Sequence, residues 1–196
     1  MVFQRLYSIF QDDKSVELST QRCILRTPIL KDSQAVRDFY LKNKTFLASW
    51  EPERHRCFYT QAYWKSWLRG ALRQHHQNKA CRFLICEKQS QNIIGLINFV
   101  SFERGAFQNC RLGYKLGEGY QGQGYMFEAL SSAIPYIFER YALHRIEANY
   151  MPHNTRSGRL LKRLNFVEHG IAPKYLCING QWEDHVLASL VKDEMP

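Results

Sequence analysis

The sequence predicts a mixed α/β fold of the α+β kind, a twisted and mostly antiparallel sheet of about six to seven strands covered by about four helices. Three β-rich runs follow one another at residues 81–87, 93–102 and 110–116, separated by short polar turns suited to an antiparallel meander. After Gly122 the apolar period lengthens from that of a strand to that of a helix, with Phe127, Leu130, Ile134, Ile137, Phe138 and Tyr141 on one stripe. Near the end, Asn179-Gly180 sits between two strand-like runs, the strongest short hairpin signal in the chain.

Taken in order, residues 23–27 read as a first strand that Pro28 ends. Asp32 and Ser33 then cap a helix bearing Ala35, Val36, Phe39, Tyr40 and Phe46 or Leu47 at helical spacing. Residues 46–52 read as a loop broken by Pro52, and Thr60 opens a second helix through Trp64, Trp67, Leu68 and Leu72. Beyond the meander and the long helix, which contains Pro135, residues 145–150 form a strand. Asn154 begins a further helix with Leu160, Leu161 and Leu164 inward, and residues 166–169, 175–178 and 182–189 are the closing strands.

A chain of 196 residues, 45% hydrophobic and 14% aromatic, can bury one substantial core, and no repeat or linker divides it. One domain over residues 1–196 is expected, with its core at about 20–190. Met1 to Phe10 carries Gln4 and Arg5 without a cleavage pattern, and the longest apolar run, residues 93–100, is too short to span a bilayer, so a soluble, cytoplasmic protein without a membrane partner is expected. The six cysteines include no C-x-x-C pair and no histidine at ligand spacing, so no metal is implied. Cys81 and Cys86 lie an odd number of residues apart and should face opposite sides of a strand. With 27 Lys plus Arg against 18 Asp plus Glu, the net charge of +9 favours a polyanionic partner, although the basic residues are scattered.

The chemistry gathers at Gln121-Gly122-Gln123-Gly124-Tyr125-Met126, between a strand and the long helix. Glycines there let backbone N–H groups approach an anion, and the helix N-terminus adds partial positive charge, which together make a pyrophosphate cradle. A second element follows one helix and one strand later: Asn154-Thr155-Arg156-Ser157, then Leu160, Leu164, Asn165 and Phe166.

These two elements, in this order, resemble the acyl-CoA loop and the Asn-x-x-Ser helix of the Gcn5-related N-acetyltransferases (GNAT). Met126 stands where that family has glycine or alanine, and Asn165 where it has glycine; asparagine is the next best residue for a left-handed helix end. Within the family the chain is most similar to the Rim-type ribosomal-protein-alanine N-acetyltransferases. Trp50-Glu51-Pro52, Ile93-Ile94-Gly95, Asn98-Phe99, Leu112-Gly113-Tyr114, residues 144–154, Asn179-Gly180-Gln181-Trp182 and Asp184-His185-Val186-Leu187 carry that likeness.

The resemblance implies a GNAT fold, acetyl-CoA as cosubstrate, and direct attack by the N-terminal amine of a ribosomal protein in a ternary complex. It also implies contact with the ribosome or its RNA. Tyr114, Leu116, Gln121, Gly122, Gln123, Gly124, Tyr125, Met126, Asn154 and Ser157 are then the cosubstrate residues. Ser157 would donate to the departing sulfur, because the family's tyrosine position is Leu161 here. Asn154 starts the same helix face, and Glu147 is the first candidate for a base working through water, with Glu51 and Glu103 behind it. Trp50, Glu51, Asn98 and Tyr150 are the candidates for substrate contact, whereas Trp64 and Trp67 are read as core. Two other readings stay open: acetylation of a small amine such as a polyamine or antibiotic, which the positive charge opposes, and an RNA-binding or ribosome-assembly protein that retains the fold.

Overall fold

The computed structural model of the chain describes residues 15–192. The opening stretch Met1 to Phe10 and both ends of the expected domain lie outside them. One eight-stranded sheet, ordered β1-β2-β3-β4-β5-β6-β8-β7, organises the chain. β1 (Glu17–Ser19) and β2 (Cys23–Arg26) lead into α1 (Ser33–Lys42), α2 (Lys44–Ala48) and α3 (Gln61–His76). The meander β3 (Cys81–Glu87), β4 (Ile93–Glu103), β5 (Asn109–Leu116) follows, then α4 (Tyr125–Tyr141), β6 (Arg145–Glu147), α5 (Thr155–Arg163), β7 (Val167–Ile178) and β8 (Gln181–Val191).

The expected fold class holds, with eight strands and five helices among the described residues in place of about six to seven and about four. The extra strand, β1, is only three residues long and polar in sequence, and it pairs antiparallel with β2. The extra helix, α2, replaces part of the loop expected at 46–52. Asp32 corrects a second expectation: its carboxylate does not cap α1 but turns back to take both guanidinium nitrogens of Arg26 at 2.7 Å and the N–H of Ile29 at 2.7 Å. An arginine on the neighbouring strand outcompetes a cap. Thr60, by contrast, caps α3 by accepting from the N–H of Tyr63.

Two apolar clusters occupy the two faces of the sheet. Val36, Phe39, Tyr40, Leu47, Phe58 and Trp64 pack on Leu84, Cys86 and Leu96 on one side. On the other, α4 lays Met126, Ala129, Leu130, Ala133, Ile134, Ile137, Phe138 and Tyr141 against Phe83, Ile85, Ile97 and Phe99. Cys81 and Cys86 fall in different clusters, as their odd separation requires. Phe127, expected on the α4 stripe, gives its core place to Met126 and is left half-buried at the helix mouth.

The closing hairpin forms at the expected Asn179-Gly180, both with positive φ (46° and 81°) as a type I′ turn requires. β7 is continuous from Val167 to Ile178 where two short strands were expected, because register shifts at Glu168/Gly170 and Ala172/Leu176 absorb its irregular pattern. Among the described residues no helix is long and apolar enough to cross a membrane.

What positions the site is the parting of two parallel strands. β5 and β6 pair over Asn109–Arg111 and Arg145–Glu147 only. The strand expected over 145–150 stops at Glu147, beyond which the Ala148 N–H donates to the Ala188 carbonyl at 2.9 Å and Tyr150 bridges Val186, and Tyr114–Leu116 keep β4 as their one strand neighbour. A wedge opens between the strands, and the N-termini of α4 and α5 border it.

Burial of thiols in this core has a measurable consequence. Desolvation pushes Cys81 and Cys110, both fully buried, up to about 12. The unfolded chain releases these protons from about pH 9 while the native chain keeps them, so stability is complete below that pH and is lost as pH rises towards 12. The two thiols together should cost about 3 kcal/mol by pH 10. Urea midpoints measured between about pH 8 and 10.5 should fall, and fall less in Cys110→Ala; a flat profile excludes the effect.

Candidate active site

A cleft of about 460 Å³ opens at the wedge. Its floor is Tyr114, Lys115 and Leu116 of β5, one wall is the loop 120–127, the other is the first two turns of α5, and Phe46, Leu47 and Trp50 close the rim.

The loop is built to expose donors. Gly122 and Gly124 have φ of 74° and 81°, in the left-handed region, and a Cβ at Gly122 would meet nothing within 4 Å, so open space lies beside the backbone. Gly124 is the N-cap of α4 and has no side chain with which to accept. Consequently the N–H groups of Gly122 through Phe127 donate to no acceptor among the described residues, a row of free donors at a helix N-terminus. Met126 does not obstruct them, because its side chain is 7% exposed and packed into the core.

The loop is clasped from behind by residues the sequence did not single out. Arg22 donates to the Gln123 carbonyl at 2.9 Å, lies 4.2 Å from the Tyr125 ring centroid and pairs with Glu128 at 2.7 Å. Burial pushes the Glu128 carboxyl up, but hydrogen bonds from Thr20 and Arg22 outweigh it and hold the group below its ordinary value. A carboxylate in the first turn of α4 would otherwise repel an anion, and Arg22 neutralises it. Gln121 ties the loop to β5 through its side-chain amide, which donates to the Leu116 carbonyl at 2.8 Å.

On α5, Asn154 is the N-cap, accepting from the N–H of Ser157 at 3.2 Å. Asn165, at φ 64°, ends the helix left-handed, with the N–H groups of Phe166 and Asn165 returning to Leu161 and Lys162. Arg156, Arg159 and Arg163 line the cleft from one face of α5, and the Arg163 guanidinium stacks 4.1 Å from the Phe127 ring centroid. Their i, i+3, i+7 spacing was legible in the sequence, but only the structure aims that face at the loop.

Of the sequence-derived residues, Tyr114, Leu116, Gln121, Gly122, Gly124, Tyr125, Met126, Asn154, Ser157 and Trp50 meet at this cleft. Trp50 also lies 5.6 Å, ring to ring, from His153 beside Asn154. Gln123 is behind the wall, its amide donating to the Gly119 carbonyl. Glu51 is buried beneath the floor, one oxygen on the Lys115 ammonium and the other on Arg54 at 3.1 Å, so neither oxygen is free. Burial pulls the Lys115 ammonium down, yet Tyr40 and Glu51 outweigh it and hold it charged.

Glu147, Asn98 and Tyr150 do not line the cleft. Glu147 sits at the closed end of the wedge, beside Arg111 at 3.7 Å. Asn98 is in β4 between Arg82 and Gly113, and its buried Oδ1 has no hydrogen-bond partner among the described residues. Tyr150 supports the site from behind: its hydroxyl donates to Glu168 at 2.6 Å and its ring packs on Gly158, where a Cβ would approach to 2.9 Å.

A model of the acetyltransferase (GNAT) domain matches residues 22–167 of the chain. The ribosomal protein uS5-alanine N-acetyltransferase of Escherichia coli (strain K12) is 43% identical over 175 residues, which cover 89% of this chain and 90% of that protein. The crystal structure of ribosomal-protein-S5-alanine acetyltransferase from Vibrio fischeri is similar with a TM-score of 0.88 and 36% identity, covering 91% of this chain and 98% of that one. RimJ of Mycobacterium smegmatis, solved in complex with CoA-disulfide, is similar with a TM-score of 0.83 and 26% identity, over 94% and 90% of the two chains. A likeness that takes in both the glycine loop and the Asn154 helix places this cleft in a known lineage: the chain belongs to the GNAT acetyltransferase family and is an N-acetyltransferase.

Proposed function

We propose that the chain, as a single acetyltransferase domain, transfers the acetyl group of acetyl-CoA to the N-terminal α-amine of a ribosomal protein, on alanine or serine, by direct attack in a ternary complex. The observation that carries the cosubstrate is the row of uncommitted N–H donors from Gly122 to Phe127 at the mouth of α4. A diphosphate suits those donors, and the three cleft arginines suit the remaining phosphate charge. The similarity to the uS5-alanine enzyme supports the protein substrate.

Acetyl-CoA, when bound, supplies the thioester carbonyl that the amine attacks. The chain's own residues then have separate tasks. The loop amides hold and aim; the edge of β5 at Tyr114–Leu116, without a second strand partner, offers backbone groups along the cleft floor. Ser157 presents its hydroxyl at the start of α5, where it can donate to sulfur as that atom gains the electron pair of the breaking C–S bond. Overall the nitrogen loses one proton to water, the sulfur gains one through Ser157, and a proton from water restores the serine hydroxyl. No carboxylate lines the cleft among the described residues. Removal of the amine proton therefore falls to water, which an α-amine with a pKa of about 8 tolerates.

The test is mass spectrometry of purified ribosomal proteins after incubation with the enzyme and acetyl-CoA. One acetyl group on the N-terminal peptide of one of them is expected. Acetyl groups on internal lysines, or none, overturn the reading.

A further inference from the structure

We propose that Arg22 is a positioning residue for the cosubstrate: by holding the Gln123 carbonyl behind the loop, it turns the Gly124 N–H at the mouth of α4 towards the diphosphate. The inference rests on the reading of that loop as the diphosphate cradle and deepens it, since neutralising Glu128 would not by itself require a contact with the loop.

Arg22 Nη1 donates to the Gln123 carbonyl at 2.9 Å from outside the cleft, whereas Gly122, Gly124 and Tyr125 line it. A trans peptide unit is planar, so its C=O and N–H point in opposite directions. With the Gln123 carbonyl turned back to Arg22, the N–H of Gly124 is turned away from it, to the side of the cleft. The arginine is itself fixed at several points. Its Nε donates to Glu128 at 2.7 Å, its backbone N–H donates to the same carboxylate at 2.6 Å, and its carbonyl accepts from the Lys88 N–H at 2.8 Å. Its guanidinium lies over the Tyr125 ring, whose hydroxyl donates to Glu87 at 2.9 Å.

A fixed contact is needed because the glycines cannot supply the choice. Gly124 sits at φ 81°, and turning the peptide unit before it through half a rotation would carry that angle to about −100°, which glycine populates as readily. The turned unit would present a carbonyl oxygen to the anion where the native one presents a donor. The freedom that lets the backbone approach a phosphate therefore also admits the wrong orientation, and the guanidinium selects between the two. A cation on the carbonyl also polarises the unit and makes its N–H the stronger donor. Lysine could balance the Glu128 charge, but its ammonium lacks the planar fork that reaches a carboxylate and a carbonyl together.

The experiment compares the wild-type chain with Arg22→Gln, Arg22→Lys and the double variant Arg22→Gln/Glu128→Gln. Acetyl-CoA affinity is measured by calorimetry, and backbone amide shifts of isotope-labelled protein are measured by NMR at saturating CoA. Each variant should bind acetyl-CoA about 10- to 100-fold more weakly, the worth of a hydrogen bond to a charged group, with kcat at saturating acetyl-CoA unchanged. Full affinity in Arg22→Lys or in the double variant would show that balancing Glu128 is all that Arg22 does, and overturns the inference. The amide shifts read orientation separately from affinity and also show that each variant is folded. CoA should move the Gly124 amide strongly downfield in the wild type and far less in Arg22→Gln, while the Phe127 amide moves alike in both. Should Arg22→Gln fail to fold, Arg22→Lys, which keeps the charge, carries the same comparison. An equal Gly124 shift in wild type and variant, or unchanged affinity, overturns the inference. A wild-type chain that takes up no acetyl-CoA instead removes the cradle reading on which it rests, a separately recognisable result.

Discussion

Peptides with a free N-terminal alanine or serine are expected to be acetylated about a hundredfold faster than the same peptides blocked at that amine and carrying a lysine. The argument is one of protonation. At neutral pH about a tenth of an α-amine is already neutral, against a few in ten thousand of a lysine amine, a ratio of several hundred. Lower basicity returns part of that advantage, because the less basic amine is also the weaker nucleophile. An enzyme with a strong base in place could erase the difference, but this cleft has no carboxylate among its described lining residues. Glu51, buried beneath the floor, is already occupied by the Lys115 ammonium and Arg54. An incoming ammonium thus meets no uncommitted carboxylate among the described lining residues, and the neutral amine is the reactive form. Equal rates on the blocked lysine peptides would show that a base has been overlooked and would sink the α-amine assignment.

Ser157→Ala is expected to lower turnover about a hundredfold, the lower end of what a positioned proton donor contributes, while acetyl-CoA binds as before. The separation follows from the geometry. Cosubstrate binding is assigned to the backbone of residues 122–127 and to the α5 arginines, none of which depends on the serine hydroxyl. The helix cap is also preserved, since Asn154 accepts from the backbone N–H of Ser157 and not from its side chain. Leu161, one turn further on, is buried in the core and cannot substitute as donor. Single-turnover rates beside calorimetric affinities decide the matter: full turnover removes Ser157 from the mechanism, and a matching loss of affinity makes it a binding residue.

Much of this was legible before folding was considered. Glycine pairs, caps and turn residues act through local backbone geometry, so the Asn179-Gly180 hairpin, the Thr60 and Asn154 caps and the left-handed end at Asn165 all stand where the sequence puts them. The α4 stripe was legible for the same reason, apart from Phe127, which the wedge draws out to meet Arg163. Asp32 shows the limit of local reasoning, because a partner on another strand took its carboxylate away from the helix.

The glycine loop at a helix mouth and the Asn154-to-Phe166 helix were set by the order of residues along the chain, because backbone donors and caps need only their near neighbours. Which side chains share the cleft was decided by the tertiary structure alone. A strand residue's face depends on register, and the wedge depends on where β6 stops, neither of which a single sequence encodes locally. That is why Glu147 lies at the closed end beside Arg111 while Arg22, a hundred residues upstream of the loop, holds it from behind.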